Sequence, residues 1–370
     1  MNPRIPAEVF PPGEFLREEL EAREWSQQEL ADILDRPPRL ISEVIAGKRA
    51  ITPETARGLS EAFGTSAEYW MNLESQYQLS KVRPTGDHVA RKARLYSKFP
   101  VREMLRRGWV QASENLEVVE QRFCDFFNIA NLDVEPTLSH AAKKTHATID
   151  ATPLQLAWLF RVKSMASQQK LPPYSKDKLN QALEKLKVLM VAPEESRHVP
   201  RIMAEAGVRL VFVEPISGSM LDGACFWLPD DRPVIGMTLR FDRIDNFWFV
   251  LRHEIEHVLN GDGKDTAVID SNVGEAKDGL PESEVKANEA GANFCVPTAQ
   301  LENFVARVQP YFSEQRVLNF AQRMNVHPGI VVGQLQRKLG RHDFLRKHQV
   351  RIRANVIPSA DADGWGSFSE

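Results

Sequence analysis

Residues 246–259 read Asn-Phe-Trp-Phe-Val-Leu-Arg-His-Glu-Ile-Glu-His-Val-Leu, and no other stretch constrains the fold as tightly. At 100° per residue, Val250, His253, Glu254 and His257 share one helical face, and Trp248, Leu251, Ile255, Val258 and Leu259 share the opposite one. An apolar back of this size must be buried against another layer, so the chain has to build a core around this helix. Histidines at i and i+4 reach one ion at about 2.0–2.1 Å, and the glutamate between them can polarise a water there. The competing reading is a solvent-facing histidine pair on an amphipathic helix. Gly261 ends the pattern, and a Gly- and Asp-rich loop follows.

A catalytic zinc takes three protein ligands and keeps one position open. Glu275, Glu282, Glu284 and Glu289 are the downstream candidates. Ala287, Ala290, Gly291 and Ala292 give the 284–297 segment a small-residue surface, which lets its helix approach the histidine helix closely. Glu284 and Asn288 lie four apart on one face. Glu284 can ligate, and Asn288 can orient a ligand histidine from behind. Glu289, in an ExxAN frame with Ala292 and Asn293, is the alternative. The expected ion is zinc, with manganese or another divalent ion also accepted by a His, His, Glu set.

The N-terminal 80 residues follow a different pattern. Ser26-Gln-Gln-Glu29 is a capping box ahead of Leu30, Ile33 and Leu34. Pro37-Pro38 breaks that helix and opens one with Leu40, Ile41, Val44 and Ile45 inward and Gly47 at its end. Thr52-Pro53-Glu54 starts a further helix, and Thr65-Ser-Ala-Glu68 reads as a second capping box. Two short helices wedged among three others make a helix-turn-helix domain. The leading side chains of its second helix then face base edges in the major groove. Arg39 is the one strong base reader among them, with Ser42 beside it, and Lys48, Arg49 and Thr52 suit phosphate. Gln27, at the start of the preceding helix, joins this contact set. A five-helix protein-interaction module is the alternative.

Charge decides where such a contact can lie. The 370-residue chain has 47 Lys+Arg against 50 Asp+Glu, net −3, which argues against nucleic acid as a general partner. Residues 1–81 carry nine basic and fourteen acidic residues, with the bases gathered between Arg36 and Arg57. Residues 82–111 and 322–353 are each strongly basic. DNA contact is therefore expected on one edge of the N-terminal domain, with the two basic stretches as auxiliary phosphate contacts and solvated helix faces as the plainer reading. Three widely spaced cysteines exclude a disulfide scaffold and any CxxC motif. No apolar run spans a bilayer, and no basic-then-apolar leader opens the sequence, so a cytoplasmic location is expected.

Between these regions, residues 82–200 read as helical and carry no chemistry of their own. Gly207–Val213 reads as a buried strand, and Ala224–Leu228 and Val234–Leu239 flank a hairpin turn. The fold expected is mainly α with a small β-sheet. It comprises a helix-turn-helix domain at 1–81, a helical linker or regulatory region at 82–200, a metal-bearing domain at 201–345 and a basic-then-acidic tail at 346–370, of which 355–370 is expected to be mobile.

Residues 10–80, through SQQELA, ISEVIAGKRAITPETA and GTSAEYWMNLE, resemble the HigA antitoxin branch of the Xre-type helix-turn-helix family. That resemblance implies a dimeric, autoregulating repressor that binds operator DNA, with a cognate toxin as a further partner. Residues 200–340, through GACFWLPDDRPVIGMTLRFDRIDNFWFVLRHEIEHVLNG, EVKANEAGANFCVP and VHPGIVVGQLQRKLG, resemble the ImmA/IrrE metallo-endopeptidases. That second resemblance implies a gluzincin-like domain. Aligned on Pro297, the third ligand is Glu284, beside His253 and His257, with Glu254 as catalytic base. The expected function is a regulator whose peptidase cleaves a repressor or antitoxin, its own chain included, on a stress or phage signal. The alternative is a peptidase-like module that only binds or senses. Substrate is expected along an exposed strand edge, Val234–Leu239. His198, Arg252, Tyr311 and His327 are the unassigned candidates for an oxyanion partner.

Overall fold

The computed structural model describes residues 9–82, 87–138, 151–271, 273, 279–341 and 344–366. Arg83, the ligand candidate Glu275 and the terminal residues 367–370 lie outside the described residues. The chain divides into two compact units, Met1–Val89 and Ala90–Glu370.

The first unit contains α1 (Pro12–Ala22), α2 (Gln27–Ile33), α3 (Pro38–Ile45), α4 (Pro53–Phe63) and α5 (Ala67–Lys81). Leu16, Leu30, Ile41, Leu59 and Trp70 are fully buried at its centre. The Ser26 box forms as expected: the Ser26 amide donates to Glu29 at 2.7 Å and the Glu29 amide to the Ser26 hydroxyl at 3.2 Å. The second box does not. Ser66, one residue later, caps α5, while the Thr65 hydroxyl accepts the indole N–H of buried Trp70 at 2.8 Å. A buried indole needs that acceptor, and this need overrides the local cap. A side chain at Gly13 would meet the Val44 and Ile45 carbonyls at 2.5 Å, so glycine is what lets α1 lie directly on α3. Ile33, in the apolar stripe with Leu30 and Leu34, is half exposed at the end of the short α2.

The second unit begins with α6 (His88–Lys98), α7 (Val101–Arg106), α8 (Leu116–Phe127), α9 (Pro153–Gln168), α10 (Lys176–Leu189) and α11 (Val199–Glu205). Then come β1 (Arg209–Val213), β2 (Leu221–Leu228), β3 (Arg232–Met237), α12 (Ile244–Asn260) and β4 (Val268–Ser271). It closes with α13 (Glu282–Cys295), α14 (Thr298–Val308), α15 (Glu314–Met324), α16 (Pro328–Leu339), α17 (Arg353–Val356) and β5 (Asp361–Asp363). The sheet order is β4-β2-β3-β1-β5. β1 is parallel to β3 and β5, and β2 is antiparallel to β3 and β4.

Strand alternation sorts the sheet residues onto two faces. Leu210, Phe212, Cys225, Ile235 and Met237 join the core of α10–α16. Val211, Val213, Ala224, Phe226 and Val234 join the core of α6–α9. β2 is buried along its whole length, so both faces need an apolar cover. Residues 90–200 are therefore no separate linker: α9 is one of the two layers that cover the sheet. At Gly236 of β3, any side chain would strike Trp158 and Val162 of α9 at under 3 Å.

Three expectations change here. β3 is central in the sheet, not an edge; the edges are β4 and β5. The C-terminal stretch forms β5 rather than a mobile tail, with Asp363 buried and accepting the Trp109 indole N–H at 3.0 Å and pairing with Arg161. The first basic stretch is largely neutralised in place, and the second in part. Arg91 pairs with Glu120, Arg94 with Asp133, Lys98 with Glu135, Arg106 and Arg107 with Glu103, Lys338 with Glu302 and Lys347 with Glu314. Arg107 is itself buried and donates to the Glu214 and Pro215 carbonyls.

Candidate metal centre and nucleic-acid interface

α12 is buried on nearly all sides, including the face that carries His253, Glu254 and His257, each 0 % exposed. Its polar face looks onto the sheet rather than onto solvent, and β2 makes room for it. A Cβ at Gly223 would lie 2.0 Å from Glu254 Oε1. α13 packs against α12 through Ala287 and Gly291, and a Cβ at Gly291 would meet the Phe249 carbonyl at 3.0 Å. The small residues thus bring the first turn of α13, with Glu284, up to the histidines.

His253 Nε2 and His257 Nε2 face each other at 3.1 Å. Glu284 Oε2 is 3.4 Å from His253 Nε2, and Glu284 Oε1 is 3.4 Å from His257 Nε2. A fourth group, unforeseen in the sequence, joins them: Asp270 Oδ2 on β4 lies 3.4 Å from His253 Nε2 and 3.7 Å from His257 Nε2. All four ligand atoms lie within 4.8 Å of one another. Arms of 2.0–2.1 Å to a tetrahedral zinc give ligand-to-ligand edges of about 3.3–3.4 Å. The donor set and its spacing fit that ion. Buried oxygens without a hydrogen-bond partner, Asp270 Oδ2 and both of Glu254, point the same way.

Burial disfavours the charged imidazole of His253, but the carboxylates of Asp270 and Glu284 facing it outweigh this and lift the group to about 9. Burial pushes Glu254 well above the usual carboxylate range, and the Asp270 charge adds to this. Asp270, although buried, is held below its usual value by His253.

The structure differs from expectation behind the ligands. Asn288 Oδ1 is buried without a hydrogen-bond partner, so no bond from Asn288 to a ligand histidine is seen. His257 Nδ1 is instead oriented by Asp262 Oδ2 at 3.0 Å. Asp262 is fixed in turn, because its carbonyl accepts the Trp227 indole N–H at 2.8 Å. The signal for it was there in the sequence, one residue past the helix-ending Gly261. Glu289 is exposed, and Glu282 pairs with Lys286 at the surface. Of the oxyanion candidates, Arg252 pairs with Glu256 at 2.7 Å, Tyr311 is 80 % exposed and His327 caps α16. His198 lies in a short 3-10 turn before α11.

In the first unit, Arg39 stands in the first turn of α3 with its side chain 86 % exposed, and its guanidinium donates to Glu43 at 2.7 Å. Glu43 also pairs with Arg49 at 3.5 Å, so one carboxylate tethers both arginines. Lys48, Arg49, Ser42 and Gln27 are exposed. The Ser42 hydroxyl donates to the Arg39 carbonyl, and the Thr52 hydroxyl accepts the Thr55 amide as the cap of α4. Ser42 and Thr52 thus have structural bonds, while Arg39, Lys48 and Arg49 form an exposed cationic surface in which Glu43 pairs with both arginines.

Residues 16–70 match the helix-turn-helix family. An uncharacterized HTH-type transcriptional regulator of Escherichia coli (strain K12) is 36% identical over 84 residues, covering 23% of this chain and 88% of that protein. Virulence-associated protein A of Dichelobacter nodosus is 40% identical over 76 residues, covering 20% and 72%. An addiction module antidote protein of the HigA family from Coxiella burnetii, a solved structure, is 32% identical with a TM-score of 0.19, covering 21% of this chain and 98% of that one. The chain belongs, through its N-terminal unit, to the helix-turn-helix family. The matches fall on that region, and no peptidase family is found.

Proposed function

We propose that the chain is a DNA-binding transcriptional regulator of the antitoxin type that carries a zinc-dependent endopeptidase in its second unit. The DNA-binding half is supported by the family match at residues 16–70 and by a relative described as a transcriptional regulator. In this reading the protein is cytoplasmic and acts as a homodimer on operator DNA. A cognate toxin and a repressor or antitoxin substrate are its protein partners. Among the described residues no helix is long and apolar enough to cross a membrane.

The peptidase half is carried by one observation: His253, His257 and Glu284 converge with zinc-like spacing beside Glu254. Those three residues would hold the ion. A bound zinc supplies Lewis acidity toward a peptide carbonyl and makes water more acidic. Glu254 accepts the proton of the attacking water and delivers it to the leaving amine. Asp262 holds the His257 ring with Nε2 toward the site. Gly223 leaves the space in which the Glu254 carboxylate sits. With β3 central, an edge-bound substrate strand would pair with β4, the edge nearest the site.

A non-catalytic binding or sensing module is the second reading, and the complete burial of His253, Glu254 and His257 favours it. Glu254→Gln separates the two. The variant should hold zinc as the wild type does and lose all cleavage of partner proteins from its own operon. If the wild type cleaves nothing under any inducing condition and the variant leaves the cellular phenotype intact, the peptidase reading fails.

A further inference from the structure

We infer that Asp270 is a fourth protein ligand, so that the loaded centre is coordinatively closed at rest and admits water only when β4 withdraws that carboxylate. The inference rests on the metal reading above and goes beyond its three ligands. A catalytic zinc keeps one position for water, whereas four protein ligands make a closed site. Here the fourth vertex already has an occupant. Asp270 Oδ2 stands 3.4 and 3.7 Å from the two histidine nitrogens, as Glu284 stands 3.4 Å from each. It is 5 % exposed and has no hydrogen-bond partner for that oxygen. A buried carboxylate oxygen aimed at two imidazole nitrogens is a costly arrangement unless a cation or a proton joins them.

The local architecture explains how Asp270 gets there and how it could leave. β4 pairs with β2, and Asp270 lies opposite Gly223, the same residue that accommodates Glu254. Between Leu221 and Gly223 the register shifts, so two steps on β2 match one on β4. A bulge of this kind re-aims side chains and is common beside functional sites. The bulged residue is Asp222. Its Oδ2 accepts the Val273 amide at 2.9 Å and so ties down the chain just past β4. Gln155 of α9 donates to the Ser271 hydroxyl at 3.3 Å and to the Ser219 carbonyl at 3.1 Å. β4 is a four-residue edge strand, so few ladder bonds oppose its departure. When it leaves, one carboxylate oxygen is exchanged for one water oxygen, and no proton or electron needs another donor.

Cobalt-loaded full-length protein tests this, with acetohydroxamate as an external ligand. The wild type should bind one Co²⁺ per chain, and its visible spectrum should not respond to millimolar acetohydroxamate. Asp270→Ala should still bind Co²⁺, more weakly than the wild type, and its spectrum should respond. Asp270→Asn, which preserves shape, should behave like the alanine variant and covers the case in which alanine prevents folding. A crystal structure of the zinc-loaded wild type should place an Asp270 oxygen on the ion. Equal responses from wild type and variants, or a water in place of Asp270, would overturn the inference and leave the three-ligand reading standing. A wild type that binds no metal would sink both.

Discussion

The two units present their functional residues in opposite ways. The cationic set of the first unit is on the surface: Arg39 is 86 % exposed, and its ion-pair partner, Glu43, lies one helical turn away. The histidine and glutamate set of the second unit is buried, with His253, Glu254 and His257 fully covered where α12 packs against α13 and β2. An exposed set can meet a large polyanion without rearrangement, and its ion pairs are weak enough to exchange for phosphate. A buried set gains electrostatic strength from its low dielectric but must open to act. One chain thus combines an exposed cationic set with a buried histidine and carboxylate set.

Five substitutions sharpen or break that contrast. The largest effect should come from His257→Ala, which should abolish stoichiometric zinc measured by metal analysis while operator affinity stays at the wild-type value. A variant that keeps one zinc per chain would break the comparison at its buried end. Gly223→Val should come next. Its side chain has no space beside Glu254, so thermal unfolding of the second unit should shift down by an overpacking cost of about 1–3 kcal/mol. Unchanged melting would mean that the site is looser than its burial indicates.

Arg39→Ala should weaken operator binding by about 1–3 kcal/mol and relax specificity at one base pair. Lys48→Ala should instead weaken all sequences alike and lower the slope of log K against log salt by about 1, read by gel shift across a salt series. Identical behaviour of the two would show that α3 does not read bases. The smallest effect concerns Glu103, which Arg106 and Arg107 hold down at about 2, below its ordinary 4.5. A depressed carboxylate contributes stability above its ordinary value and loses it as pH falls toward the depressed one. Glu103→Gln should therefore lower the melting temperature slightly at pH 7, with the difference fading between about pH 4.5 and 2.

Much of the molecule was legible in one dimension because helical periodicity is local. The i, i+4 spacing puts His253 and His257 together in any helix, and the small residues at 287 and 291 foretell a close partner for α12. Ser26 and Glu29 form the expected box because the partners are three residues apart. Other features depend on distant chain. Thr65 gives up its expected cap to serve Trp70, and Pro233–Met237 becomes central only because β1 and β5 pair beyond it. Asp363 is buried because Trp109 and Arg161, some two hundred residues earlier in the chain, need an acceptor.

The sequence by itself determined the helices of the first unit and the histidine pair that flanks Glu254, because each is written in spacing along one element; spacing left Glu284 and Glu289 both open, and the family resemblance chose between them. Only the tertiary structure decided that the pair is sealed and that Asp270 joins it. Asp270 lies on another element, and its aim depends on a one-residue bulge at Asp222 in a strand some fifty residues earlier in the chain. Side-chain direction in a strand reverses with each residue of register, and register is a property of the pairing, not of either strand alone.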